Sequence, residues 1–263
     1  MKIFISADIE GVTGVTDWRE TRYGGQGYEQ ACEQMSLEVA AACRAAIAAG
    51  YEVVVKDGHE DALNIDARLL PAGTQLLRGW MCTPLAMMAG LDDTYSGVIY
   101  IGYHSGAYTN TSPLRHTVED QWFQWVKING VYASEFMINA QLADYFRVPS
   151  IFISGDKGIC ETAKSLYPHI ETVSTKTGIG GGTWNMHPQD VVRAIEEGVA
   201  KALTKPQQAR PLVSAYELLI NYKEHTRAQN ASWYPGARLI DPYTVAYSAK
   251  DPFEMAIARS FIE

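Results

Sequence analysis

Four short runs of the chain, Lys2 to Ala7, Glu52 to Lys56, Gly97 to Ile101 and Ser150 to Ser154, are apolar at nearly every position, and each stops at something polar. A strand with one wet face alternates apolar and polar residues, so an unbroken apolar run marks a strand covered on both faces. Strands of that kind sit in parallel sheets with helices packed on either side, and helix-like segments separate them here. The expected fold class is α/β, with a mainly parallel sheet flanked by helices.

The connecting segments carry their own punctuation. Glu29 to Ala49 is rich in Ala and Glu and is closed by Gly50, which reads as a helix with its stop. Trp122 to Ile128, Asn129-Gly130 and Val131 to Ala133 read as a hairpin, because Asn-Gly suits a turn whose central residues both need positive φ. Ser134 is the expected N-cap of a helix from Glu135 to Phe146, and Pro188 opens another that runs to Leu203. The polar stretch Thr204 to Pro211, with two prolines, is the expected boundary between a domain of residues 1–205 and a smaller C-terminal α+β domain of residues 206–263. The latter has a strand-like Tyr243 to Ala249 and a helix-like Asp251 to Ile262.

Composition narrows the function by exclusion. With 22 basic and 30 acidic residues the formal net charge is -8, which disfavours nucleic acid and anionic membranes as partners. Cys32, Cys43, Cys82 and Cys160 are too scattered for a zinc ribbon or a redox pair. The first residues enter a strand and reach Asp8 without the apolar core of a signal peptide, and no apolar run is long enough to span a membrane, so a cytoplasmic location is expected.

The polar stops of the strands carry the chemistry. The first strand ends in Asp8-Ile9-Glu10-Gly11, whose two carboxylates project to the same side of an extended backbone. Two such carboxylates repel unless a proton or a cation lies between them, and the glycines at 11 and 14 allow a close approach. Lys56-Asp57-Gly58-His59 and Gly102-Tyr103-His104 then place a histidine just beyond two further strands. In open α/β sheets ligands bind beyond the carboxyl ends of the strands, so Asp8, Glu10, His59 and His104 form a candidate zinc-ligand set if those strands are neighbours. His116 is equally readable as a loop residue or, beside an activated water, as a proton shuttle. His169, His187 and His225 lack comparable settings and read as structural or surface residues. Thr177 to Gly182 is glycine-rich but fits neither the dinucleotide fingerprint nor a P-loop, and reads as a mobile connection.

Taken together, Ser6 to Gly14, Asp57-Gly58-His59, Gly90 to Thr94, Gly102-Tyr103-His104, His116, Glu135 and Asn139 resemble, in order, the motifs of the zinc-dependent D-aminopeptidase family, the DppA-like metallopeptidases. Pro235-Gly236 and Ala249-Lys250-Asp251 extend the likeness to nearly the whole chain, while Thr177 to Asn185 departs from it. The resemblance implies two zinc ions per subunit, bridged by Asp8 and completed by Glu10, His59, His104 and Glu135, with His116 as the catalytic residue. It also implies a ring-shaped homo-oligomer, a decamer, around a channel that admits short peptides. The expected activity is removal of the N-terminal residue from short, D-amino-acid-containing peptides. The alternatives are another metal-dependent amidohydrolase, a deacetylase or a phosphoesterase, or a non-catalytic metal- or peptide-binding assembly.

Overall fold

The structure, a computed structural model, describes residues 1–206 and 208–263; Gln207, inside the expected boundary, lies outside the described residues. In the first half the chain forms β1 (Lys2–Ala7), α1 (Tyr28–Ala48), β2 (Glu52–Asp57), β3 (Thr74–Leu77), β4 (Tyr95–Tyr103), β5 (Phe123–Ile128), β6 (Val131–Tyr132) and α2 (Glu135–Tyr145). The second half adds β7 (Ser150–Asp156), α3 (Lys157–Leu166), β8 (Glu171–Ile179), β9 (Gly182–Asn185) and α4 (Pro188–Leu203). It closes with β10 (Tyr216–Tyr222), α5 (His225–Ala231), β11 (Arg238–Asp241), β12 (Thr244–Ala249) and α6 (Pro252–Ile262).

Among the described residues these strands form a seven-stranded sheet in the order β3-β2-β1-β4-β7-β8-β9 and a five-stranded sheet in the order β11-β12-β10-β5-β6. The first is parallel except for β9, which returns antiparallel to β8. Its two faces are covered separately. Ile3, Ile5, Ile99 and Ile101 pack with Met35 and Val39 of α1 and with Val191 and Ile195 of α4. Phe4, Val98, Tyr100 and Ile153 pack on the other side with Phe136 of α2 and Ile159 of α3. This double cover is why β1, β2, β4 and β7 read as continuous apolar runs.

The five-stranded sheet is antiparallel throughout. Residues 206–263 contribute β10, β11 and β12 with α5 and α6, and the hairpin β5-β6 from the middle of the chain completes it. The turn of that hairpin has φ of 50° at Asn129 and 80° at Gly130, the left-handed pair that its sequence demands. One face packs on α6 and on Met137 and Ile138 of α2, so α2 lies between the two sheets.

The glycine-rich stretch Thr177 to Gly182, expected as a connection, is instead a strand pair: Thr177 faces Trp184 and Ile179 faces Gly182, with only Gly180 and Gly181 left to turn. None of the helices of the described residues is long and apolar enough to cross a membrane.

Candidate metal centre

β1 lies between β2 and β4; the chain runs outward from β1 to β2 and β3 and then returns to β4 on the other side, so the crevice beyond β1 and β4 is the switch point of the parallel sheet. Asp8 and Glu10 follow β1, His59 follows β2 and His104 follows β4, which brings all four to that crevice. The close approach rests on backbone. Gly11 N–H donates to Gly102 O at 2.7 Å, and a Cβ on Gly11 would stand 1.7 Å from the Tyr103 carbonyl oxygen. Gly102, at φ +71°, has Asp8 O 2.1 Å from where its own Cβ would lie.

Glu135 enters from α2, whose N-cap Ser134 accepts from Met137 N–H as its sequence suggests. Asn139, one turn further on, donates to the Tyr103 hydroxyl at 2.9 Å; that hydroxyl donates in turn to Ser6 Oγ at 2.7 Å, because Ser6 uses its own proton on Met87 O. The chain pins α2 to β1 and β4.

Six side chains meet. His59 Nδ1 lies 3.3 Å from Asp8 Oδ1 and 3.2 Å from Glu10 Oε2. His104 Nε2 lies 3.5 Å from Asp8 Oδ2 and 3.3 Å from Glu135 Oε1. His116 Nε2 is 3.3 Å from the same Glu135 oxygen, and its ring stacks on that of His104 with centroids 4.1 Å apart. Asp8 therefore faces both halves of the cluster. All but His116 are buried, and His116 stands at the edge of the cavity.

The far nitrogen of each imidazole is committed to the main chain. His59 Nε2 meets Thr21 O at 2.7 Å, His104 Nδ1 meets Ser105 O at 3.0 Å and His116 Nδ1 meets Leu114 O at 3.0 Å. A carbonyl only accepts, so each of these nitrogens carries a proton, and the other nitrogen of each ring faces the carboxylates, where its lone pair is free for a metal once any second proton leaves. A lone pair facing carboxylate oxygens needs a cation between them.

Three observations show that a metal fits. Asp8 Oδ2, Glu10 Oε2 and His104 Nε2 are buried without any hydrogen-bond partner, which is costly unless another species satisfies them. The donor atoms of Asp8, Glu10 and His104 lie within 4.8 Å of one another, as do those of His104, His116 and Glu135. The donor separations of 3.2–3.5 Å exceed the roughly 2.7–2.9 Å of a charged hydrogen bond. They match the edge of a tetrahedron about 2.0–2.2 Å from its centre, which is roughly 3.3–3.6 Å and the geometry zinc takes with nitrogen and oxygen ligands.

The electrostatics point the same way. Burial, with Glu10 adjacent, raises the Asp8 carboxyl to about 7. Burial alone would lower His104, but Glu135, Asp8 and Glu10 overcome it and carry its pKa to about 10. His59 is likewise held well above the usual range by Glu10 and Asp8 against its burial. The cluster demands positive charge, which protons supply in the bare chain and divalent cations supply better.

Several supporting groups were not evident in the sequence. Asp57 accepts from Asn64 N–H at 2.7 Å and Ile65 N–H at 2.8 Å, and Asn64 donates to His59 O at 2.8 Å, so the turn that carries His59 is fixed. Asp156 caps α3 and takes Ser105 N–H at 2.6 Å beside His104. Lys176 of β8 is fully enclosed, and burial brings its ammonium down to about 8. It donates to Glu10 O at 2.5 Å, to Val12 O at 3.0 Å and to Val15 O, gathering the loop that bears both acidic residues. From α1, the buried Glu38 accepts from Thr13 N–H of the same loop at 3.1 Å.

A cavity of about 360 Å³ opens over the cluster, walled in part by Trp18, Trp80, Met87 and Trp122. Its size falls in the range of small-molecule sites, roughly 300–1,000 Å³.

The chain as a whole is matched among known proteins. The D-aminopeptidase family profile, peptidase family M55, covers residues 1–260. A D-aminopeptidase of Bacillus subtilis (strain 168) is 29% identical over 259 residues, spanning 97% of this chain and 93% of that protein. A solved structure described as a Zn-dependent D-aminopeptidase, DppA, from Bacillus subtilis, a self-compartmentalizing protease, superposes with a TM-score of 0.93 at 28% identity. That match covers all of this chain and 96% of the other. With the profile spanning nearly every residue and the same architecture from end to end, the chain belongs to the D-aminopeptidase family, the M55 metallopeptidases.

Proposed function

We propose that this chain is a zinc-dependent aminopeptidase that releases the N-terminal residue, D-configured, from short peptides with two zinc ions per subunit. Asp8, Glu10 and His59 would hold one ion and Asp8, His104 and Glu135 the other, with Asp8 common to both sets. The observation that carries the reading is the set of buried, partnerless atoms Asp8 Oδ2, Glu10 Oε2 and His104 Nε2, on three residues whose ligand atoms gather within 4.8 Å of one another with Asp8 common to both halves of the cluster. Zinc held by these residues would supply Lewis acidity toward the scissile carbonyl and a water acidic enough to act as nucleophile near neutral pH.

The chain's own residues do the rest. His116, tied through Nδ1 to Leu114 O, keeps Nε2 at the cavity edge as a proton acceptor. From there it passes the proton to the departing amine, a poor leaving group until protonated. Trp18 packs edge-on against His116 with centroids 5.2 Å apart and holds the ring in place. The tryptophan-lined walls exclude water, which strengthens every charge interaction inside.

The same reading extends self-compartmentalisation, described for the solved relative, to this chain as a ring-shaped homo-oligomer, a decamer. The exposed Ile179 and Trp184 of the β8-β9 hairpin and the exposed Trp233 offer apolar surface for contacts between copies. The four cysteines are all free thiols, in keeping with a cytoplasmic enzyme.

Metal analysis of the purified protein, joined to a screen of D- and L-aminoacyl amides and dipeptides, tests the proposal. The expected result is two zinc ions per chain and D-selective amide hydrolysis that a chelator abolishes and zinc restores. Phosphoester turnover without amide turnover, or hydrolysis indifferent to the chelator, would overturn it.

A further inference from the structure

The cavity over the metal cluster has a basic residue that the proposed chemistry does not use. Among the described residues its lining includes two arginines, Arg22 and Arg259. Arg22 is committed: it pairs with Asp120 at 2.8 Å and reaches Glu60 at 4.0 Å. Arg259 comes from α6, on the five-stranded-sheet side, and is only 6% exposed. Its Nε is buried without a hydrogen-bond partner, and its one ion pair is Nη1 to Glu263 Oε1 at 2.6 Å, one helical turn away.

A guanidinium presents five donors in a planar fork shaped for both oxygens of a carboxylate. Burying that fork with an N–H unmet is costly, and a group at a cavity wall can recover the cost when a ligand arrives. Glu263 fills the role incompletely. It meets Nη1 and leaves Nε bare, and burial pushes its own carboxyl above the usual range, with Glu135 and Glu119 adding to the rise against Arg259. The other carboxylates of the wall are engaged elsewhere, Asp120 by Arg22 and Glu119 by Gln121 N–H at 3.0 Å.

We propose that Arg259 binds the C-terminal carboxylate of a short peptide lying in the cavity, in the place that Glu263 fills beforehand, so that free-acid dipeptides and tripeptides are the preferred substrates. This rests on the aminopeptidase reading above, and adds to it which end of the substrate the wall recognises. The cavity suits it: a dipeptide extends roughly 7 Å, and Arg259 lines the same space of about 360 Å³ as Asp8, Glu10, His59 and Glu135.

The test compares D-alanylglycine with D-alanylglycinamide, which lacks only the carboxylate charge, on the zinc-loaded enzyme and on Arg259→Met, Arg259→Lys and Glu263→Gln. Wild type should favour the free acid by about tenfold or more in kcat/KM. Arg259→Met should erase that preference, chiefly through a KM for the acid raised by roughly 10- to 100-fold, as expected for a lost charge-assisted contact. Arg259→Lys, keeping the charge without the fork, should fall between. Glu263→Gln, which removes the competing negative charge from the guanidinium, should lower KM for the acid more than for the amide. Equal acid-to-amide ratios in wild type and Arg259→Met, with both substrates turned over, would overturn the assignment and leave the aminopeptidase reading intact. Absence of turnover on either substrate by wild type would instead sink that reading and this one with it. Should circular dichroism show Arg259→Met unfolded, Glu263→Gln decides, and a ratio unchanged there overturns the proposal.

Discussion

At the carboxyl end of the seven-stranded sheet the protein buries Asp8, Glu10, His59 and His104, whereas the five-stranded sheet fills its interior with Phe123, Val126, Leu218, Ile220 and Val245. The first sheet is covered on both faces and the second on one, yet only the first concentrates charge. Parallel strands all point their carboxyl ends to the same edge, so residues distant in sequence converge there, and the loops leaving that edge supply main-chain donors and carbonyls to orient them. Antiparallel strands alternate direction and offer no such common edge. In this molecule they build a wall, and the charged groups beside it, Arg259 on α6 and Glu263 at the C-cap of that helix, sit where the wall meets the cavity. Changes at the first region should remove metal and reaction together, while changes at the second should alter which substrate fits.

The largest expected effect is at the shared carboxylate. Asp8→Ala should lose most of the bound zinc and lower turnover by more than about a thousandfold, several kcal/mol of lost charge stabilisation. Elemental analysis with full zinc content in that variant would refute the bridge. Next, His116→Ala should keep its zinc and lose about 10²- to 10⁴-fold in kcat, the usual range for a general acid-base residue. If zinc disappears while some rate persists, the residue is a ligand and the division of roles within the cluster is wrong.

A smaller effect is expected one layer out. Lys176→Met removes the ammonium that gathers Glu10 O, Val12 O and Val15 O, and zinc affinity, read by competition with a chromogenic chelator, should weaken about 10- to 100-fold. Unaltered affinity would mean that the loop holds its shape without that cation.

The smallest is a change in pH dependence. Burial raises the Glu38 carboxyl from 4.5 to about 7, so the folded chain binds its proton more tightly than the unfolded chain does. That contribution to stability is complete below the unfolded pKa and is lost as pH rises through 7. In chelator-treated protein Glu38→Gln should flatten the decline, narrowing the stability difference between pH 5 and pH 8 by about 1–3 kcal/mol. Parallel urea-midpoint profiles for the two proteins would contradict this.

The sequence carried the first region more legibly than the second. β1, β2, β4 and β7 announce themselves because two covered faces leave no room for polar residues, and Asp8, Glu10, His59 and His104 stand out as the polar groups that interrupt them. Glu135 could not be found this way. It opens an ordinary helix, and only its likeness to a family motif singled it out. β10 escaped notice because apolar Leu219 at an outward, partly covered position spoils the alternation of its sequence although its burial alternates, and its partner β5 lies far away in the chain. The β8-β9 hairpin was masked by its glycines. Buried cations such as Lys176 and Arg259 leave no local trace, since what makes them unusual is the company they keep after folding.

The main-chain contact between Gly11 and the Gly102-Tyr103 segment bears on how such a chain could be re-engineered. Nothing bulkier than a hydrogen fits at either position, so the floor of the crevice is closed to libraries that seek new selectivity. Diversity is tolerable only in the surrounding panels, Trp80, Trp122 and the α6 side among them, where a side chain can be exchanged without prising two strands apart.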